Sequence, residues 1–108
     1  MATPKFRKMI DLEHLKNLLG SEEMAARFLD IFEQQAPEQL RSIRSGTESG
    51  DWKAASIAAH SLKSQLRYLG LTDEAGLAAE LEQSTESGQI NWPTLADLEQ
   101  RLQPLFKS

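Results

Sequence analysis

Apolar side chains recur in this chain at three- and four-residue intervals, in runs that halt at Gly20, at 45–51, at 70–72 and at 85–91. That period lines one face of an α-helix, whereas a half-buried strand needs alternation at every second residue. The residue types agree with the rhythm. Sixteen Leu and twelve Ala stand against five Ile and no Val, and unbranched side chains lose little rotamer freedom in a helix. An all-α fold is expected, and 108 residues supply a single domain, 1–108, rather than two.

Five helices are predicted. The first, 11–19, carries Leu12, Leu15, Leu18 and Leu19 and stops at Gly20. The second follows Ser21 as N-cap, has Glu22 and Glu23 against its positive end, and runs to about Arg44. Its apolar stripe is Met24, Phe28, Ile31, Phe32, Ala36, Leu40 and Ile43. Pro37 removes one donor and crowds the Glu33 carbonyl, yet the stripe keeps phase across it, so one kinked helix of about 36 Å is expected. Asp51 caps a third helix, 52–69, which Gly70 closes. Thr72 is expected to cap a fourth, 73–87, with Ala75, Leu77, Ala78 and Leu81 inward and Gly76 weakening it. The fifth begins near Asn91–Pro93 and turns Leu95, Leu98, Leu102 and Leu105 or Phe106 inward, with Pro104 fraying its end. Short loops between amphipathic helices describe an up-and-down antiparallel four-helix bundle, with the short N-terminal helix as a lid. Each narrow stripe is consumed by the bundle itself, so a monomer is expected.

Several functional classes drop out. With no cysteine there is no disulfide, zinc–thiolate site or thiol nucleophile, and a cytoplasmic location is expected. Sixteen acidic residues against twelve basic ones, a net charge of -4, lack the footprint for nucleic acid. No apolar run is long enough to span a membrane. Residues 1–10 contain Lys5, Arg7 and Lys8 but lead into Asp11 and Glu13 in place of an apolar run, so no signal peptide is expected there. Starting at Met1 with a whole bundle's worth of helices, the chain is expected to stand alone.

The third helix carries the chemistry. With His60 at zero on a wheel of about 100° per residue, Ala55, Ala58, Ala59, Leu62, Leu66 and Leu69 fill one contiguous arc opposite it. Around His60 lie Lys53, Ser56, Ile57, Lys63, Ser64 and Arg67. Three cations about one imidazole on an acidic protein suggest a site. They disfavour the imidazolium and so favour the neutral, nucleophilic ring. Once the ring holds a phosphoryl group, the same charges stabilise it, with Lys63 one turn away as the best placed. The plain alternative is a surface histidine among solubilising lysines.

The stretch Ala59-His60-Ser61-Leu62-Lys63-Ser64-Gln65-Leu66-Arg67-Tyr68-Leu69-Gly70 resembles the signature of histidine-containing phosphotransfer (HPt) domains, in which Leu, Lys and, ten residues on, Gly follow the histidine. Asp51, the Ser21-Glu22-Glu23 helix start and Leu81-Glu82 also sit where that family has them. The resemblance implies that His60 is the phosphoacceptor and Lys63 its electrostatic support, with Gly70 and Asp51 structural. It implies that the exposed faces of helices two and three, including Lys53, Ser56, Ile57, Ser64 and Arg67, dock receiver domains. Partners would be response-regulator receivers and a hybrid sensor histidine kinase, in a multistep His-Asp phosphorelay. The chain would be a phosphocarrier with no turnover of its own and no cofactor, Mg²⁺ being expected only on the receiver. Family members usually place Gly directly after the lysine and a small hydroxyl residue next, where this chain has Ser64 and Gln65. A Cβ at 64 narrows partner choice or slows transfer. Those departures motivate an alternative, a helical docking module that binds a receiver or kinase without accepting phosphate.

Other candidates carry less. His14, on the first helix, is expected to be a surface or cap residue with no second ligand to make a metal site. Trp52 and Trp92 are expected to seal a bundle end. Glu80, Glu82 and Glu86 are expected to form a solvated face. Gly46 and Gly50 flank Thr47-Glu48-Ser49 without the lysine that a nucleotide cradle requires.

Overall fold

The structure, a computed structural model, describes Ile10 and residues 12–106. The basic residues Lys5, Arg7 and Lys8 and the expected helix start at Asp11 lie outside the described residues. Five helices follow one another: α1 Leu12–Leu19, α2 Glu22–Ser49, α3 Trp52–Tyr68, α4 Thr72–Glu86 and α5 Trp92–Phe106. The long helices α2–α5 form the up-and-down antiparallel four-helix bundle, and α1 packs on α2. Helix α3 lies between α2 and α4 and packs most extensively on both, while α5 closes the bundle against α4 and α2.

Local chemistry sets the boundaries. Ser21 is extended and its hydroxyl accepts from the Met24 amide at 3.2 Å, opening α2. Helix α2 passes through Pro37 unbroken and continues beyond Arg44 to Ser49, about 42 Å at 1.5 Å per residue. The extension runs through 45–49 because Gly46 and Thr47 turn inward and are buried, so the last turn of α2 rests on the start of α3. Gly50, at φ 82°, then ends the helix in the left-handed conformation that glycine adopts without cost. One residue on, the Asp51 amide donates to the Gly46 carbonyl at 2.7 Å, and the Asp51 carboxylate caps α3 through the Ala54 amide at 3.1 Å.

Two other boundaries differ from expectation. Thr72 is not a cap: Leu71 holds that position, buried in the core, with its amide on the Leu66 carbonyl and no side-chain cap bond. Packing of one leucine has outweighed the local preference for a hydroxyl. Helix α5 starts after Asn91, whose side chain accepts from the Thr94 amide, and runs through Pro104 to Phe106 without fraying. Leu105, fully buried, and the Phe32–Phe106 ring contact at 6.4 Å hold that last turn down.

The core is a column of Leu, Ala, Ile and one Phe. From α2 it takes Ala25, Leu29, Phe32, Ala36, Leu40 and Ile43, and from α3 and its C-cap Ala55, Ala58, Ala59, Leu62, Leu66 and Leu69, the arc opposite His60. Met24 and Ile31, expected in the α2 stripe, are instead 45% and 48% exposed. On the wheel they stand roughly 140–160° from Leu29, so a helix that buries a narrow arc leaves them on its flank. Trp92 does not seal the bundle end: it is exposed, with the Arg44 guanidinium 5.4 Å over its ring. Arg44 also makes a two-point ion pair with Glu99, at 2.6 and 3.2 Å, tying α2 to α5. Among the described residues no helix is long and apolar enough to cross a membrane.

Candidate functional site

His60 sits in the middle of α3, one helical face away from Leu62 and Leu66, and its side chain is 59% exposed. The charged group bonded to the ring is not a cation. Glu82, reaching across from α4, places Oε2 2.8 Å from His60 Nδ1, and its Oε1 accepts from Lys63 Nζ at 2.5 Å. One carboxylate thus bridges imidazole and ammonium. The expectation of a solvated Glu82 is corrected: its side chain, like that of Lys63, is only 16% exposed. Antiparallel packing of α4 on α3 delivers the correction, because it sets a residue 22 positions downstream against the histidine.

The bridge also changes the electrostatics expected of the site. Lys53 and Arg67 are exposed and make no ion pair among the described residues, whereas the charge of Lys63 is committed to Glu82. The Glu82 carboxyl is held below the usual carboxylate range, first by the hydrogen bond from Lys63 and further by that with His60, while burial works in the opposite direction. An ionised carboxylate has no proton to offer. The hydrogen of the 2.8 Å contact therefore belongs to Nδ1, and the tautomer is assigned from this partner. In the neutral ring Nε2 then keeps its lone pair, free for an electrophile.

The opposite flank of α3 faces α2. Gln65, where the resemblance leads one to look for a small hydroxyl residue, donates from Nε2 to Gln35 Oε1 at 3.0 Å and so ties the two helices. Tyr68 packs on Phe28 with ring centroids 5.6 Å apart. Ile57 is 57% exposed, Ser64 is half-buried one turn beyond His60, and Leu18 of α1 lies with Ser64, Arg67 and Tyr68 around a shallow recess. Ser56 is half-buried and its hydroxyl donates to the Lys53 carbonyl. Phe28 shares its flank of α2 with the exposed Met24 and Ile31, so an apolar surface continues from α3 onto α2. The sequence expectation places Met24, Phe28 and Ile31 in the inward stripe of α2, not on an exposed strip, and does not foresee the bond between Gln35 and Gln65. The signal for the strip was present: Met24, Phe28 and Ile31 stand at a helical spacing roughly 110° round the wheel from the middle of the buried arc.

Gly70, at φ 75°, closes α3 in the left-handed region, and the Gly70 amide bonds the Arg67 carbonyl. His14 is exposed on α1. Among the described residues no three His, Cys, Asp or Glu side chains converge as metal ligands.

A helical bundle that holds one imidazole outward, with one nitrogen bonded and the other open, is able to take an electrophile on the open nitrogen. The family assignment agrees: a sequence model of the Hpt domain matches residues 27–107, well over half of the chain, and the protein belongs to that family. No curated protein and no solved structure matches it. Hpt domains are phosphotransfer modules of His-Asp relays.

Proposed function

We propose that the protein relays a phosphoryl group between receiver-domain aspartates through Nε2 of His60. The observation that carries the reading is the exposed imidazole whose Nδ1 is engaged by an ionised carboxylate. In the forward step the lone pair of Nε2 attacks the phosphorus of a receiver aspartyl phosphate. The Nε2–P bond forms, the P–O bond breaks, and the aspartate leaves as carboxylate with its electron pair. The Nδ1 proton stays in place, facing Glu82, so no general base is required. The next receiver reverses the step. Phosphoryl transfer of this kind depends on positioning and on charge stabilisation, and Mg²⁺ belongs to the receiver in this scheme. Lys63 is the electrostatic support within the chain, and Lys53, Ser56, Ile57, Ser64 and Arg67 belong to the docking face. A cytoplasmic location and a hybrid sensor kinase as the phosphate source complete the proposal.

The test is to incubate the protein with a phosphorylated receiver and look for label that is acid-labile and alkali-stable. Wild type should acquire it and His60→Gln should not. Absence of label on wild type across several receivers would reject the relay and leave only docking.

A further inference from the structure

We propose that Arg67 and the Ser64 hydroxyl form an oxyanion subsite on α3 that grips the phosphoryl group once it stands on His60 Nε2. The proposal rests on the reading of His60 as phosphoacceptor and names what holds the group during its stay. It gives Arg67 a task in the free phosphorylated chain, beyond its place on the docking face.

Helix geometry sets the reach. Arg67 follows His60 by seven residues, two turns or about 10.5 Å, and stands within about 20° of it on the wheel. Long side chains on a helix lean toward its N-terminus, so Arg67 leans back along α3 toward the histidine. Lys53, seven residues before His60 and equally close in angle, leans away from it. Ser64 lies between His60 and Arg67, about 40° round the wheel on the α2 side. Leu18, Ser64, Arg67 and Tyr68 line one shallow recess, which brings Arg67 alongside Ser64. Lys63 and Arg67 are like charges one turn apart, and their repulsion favours the same placement. Nε2 points to that flank as well. On the ring it neighbours Cδ2, across from Nδ1, and Nδ1 is turned to α4. Its lone pair therefore points outward on the side away from α4, the side on which Ser64 stands.

Both donors are available. The Ser64 hydroxyl makes no hydrogen bond among the described residues, whereas that of Ser56, one turn to the other side of His60, donates to the Lys53 carbonyl. Arg67 is exposed and makes no ion pair among the described residues, while the Lys63 ammonium is paired with Glu82. A guanidinium presents parallel N–H groups that match two oxygens of a phosphoryl group, and the hydroxyl adds a further donor. On a chain of net charge -4, with Glu82 already beside the ring, the arriving group adds negative charge that this uncommitted cation offsets.

The experiment uses the full chain labelled with nitrogen-15, as wild type, Arg67→Gln, Arg67→Lys, Ser64→Ala, Lys53→Gln and His60→Gln. His60 is loaded without a receiver by phosphoramidate: the Nε2–P bond forms, the P–N bond of the reagent breaks and ammonia leaves. A phosphorus-31 signal absent from His60→Gln identifies the product. The Arg67 Nε–H signal, assigned by its loss in Arg67→Lys, should shift on loading in wild type and stay in place in His60→Gln. A second measurement follows the equilibrium in which a phosphorylated receiver hands its group to the chain, at concentrations where the two proteins remain apart. That equilibrium depends only on the free species at its ends, so a residue that merely docks the receiver cannot move it. Arg67→Gln should displace it toward the receiver by about threefold to tenfold, the scale of an exposed charge-assisted pair. Arg67→Lys, which lacks the planar fork, should displace it less, as should Ser64→Ala and Lys53→Gln. An Arg67 signal unmoved by loading would overturn the proposal. So would an equilibrium that Arg67→Gln leaves unchanged, or that Lys53→Gln displaces as far, since the effect would then be one of overall charge. If no receiver transfers to wild type, the relay reading fails instead, and the Arg67 signal on the chemically loaded chain still decides the subsite.

Discussion

Replacing Gly46 with alanine should destabilise the protein, although the same change inside a helix ordinarily stabilises by about 1 kcal/mol. A Cβ at this position would lie 2.9 Å from the Asp51 carbonyl oxygen, 3.1 Å from the Ala55 nitrogen and 3.2 Å from the Ala55 Cβ. Favourable carbon contacts begin at about 3.5 Å. Two of the three atoms are backbone, and they are bonded to each other: the Ala55 amide donates to the Asp51 carbonyl at 3.2 Å. Relief therefore requires lifting the first turn of α3 off α2. Overpacking of this kind costs about 1–3 kcal/mol, and disturbing the Asp51 cap adds about 1 kcal/mol. Against the helical gain the net loss is about 1–3 kcal/mol. Gly76, in the middle of α4, supplies the control, because a Cβ there meets nothing within 4 Å. Gly76→Ala should therefore stabilise by up to about 1 kcal/mol. At about 4–8 °C per kcal/mol, a gap of roughly 2–4 kcal/mol should set the two melting temperatures about 8–30 °C apart, measured by circular dichroism. A Gly46→Ala protein as stable as Gly76→Ala would refute the close approach of α2 and α3 on which the placement of His60 depends.

Because the Glu82 carboxyl is held low in the folded state, its contribution to stability is present above the ordinary carboxylate range and is lost as pH falls through the lowered value. The melting temperature of wild type should accordingly converge on that of Glu82→Gln with acidification, and a gap that stays constant down to low pH would remove the ionised bridge. Receiver binding through the exposed Lys53 and Arg67 should weaken as salt rises toward about 1 M, where the screening length falls to about 3 Å, and affinity indifferent to salt would take these two cations out of the docking face. Ile57→Asp removes an exposed apolar side chain without touching the core, so it should leave melting within about 0.5 kcal/mol of wild type while reducing receiver affinity in titration calorimetry. Unchanged affinity would move the interface elsewhere.

The bundle was legible in the sequence because helical periodicity is a local signal. Ala55, Ala58, Ala59, Leu62, Leu66 and Leu69 could be set on one arc from their numbers alone, and all six are buried. Caps made by a side chain on its own helix were equally readable, as at Ser21 and Asp51. What escaped depended on partners distant in the chain. Thr72 looked like a cap until Leu71 found the core, and 45–49 looked like a loop until Gly46 met α3. Glu82 escaped for the same reason. Among Glu80 and Glu86 it is one more acid on a helix, and only the register of α4 against α3 decides which of the three meets His60 and Lys63.

That register also gives the site two unlike sides. Lys63 lies on the side of α3 that turns toward α4, where the Glu82 bridge holds the imidazole. On the other side, toward α2, Ser64, Ile57, Tyr68 and Gln65 follow one another around the wheel, and Phe28 and Gln35 meet two of them. The α4 side is occupied by a closed, largely buried ion pair that a partner could enter only by separating two charges. The α2 side offers exposed Ile57, Tyr68, Met24 and Ile31, which lose nothing but water on contact. In the proposed relay, a receiver that brings its phosphorus atom to Nε2 would therefore approach over the α2–α3 face, because the same carboxylate that leaves Nε2 open closes the α4 side.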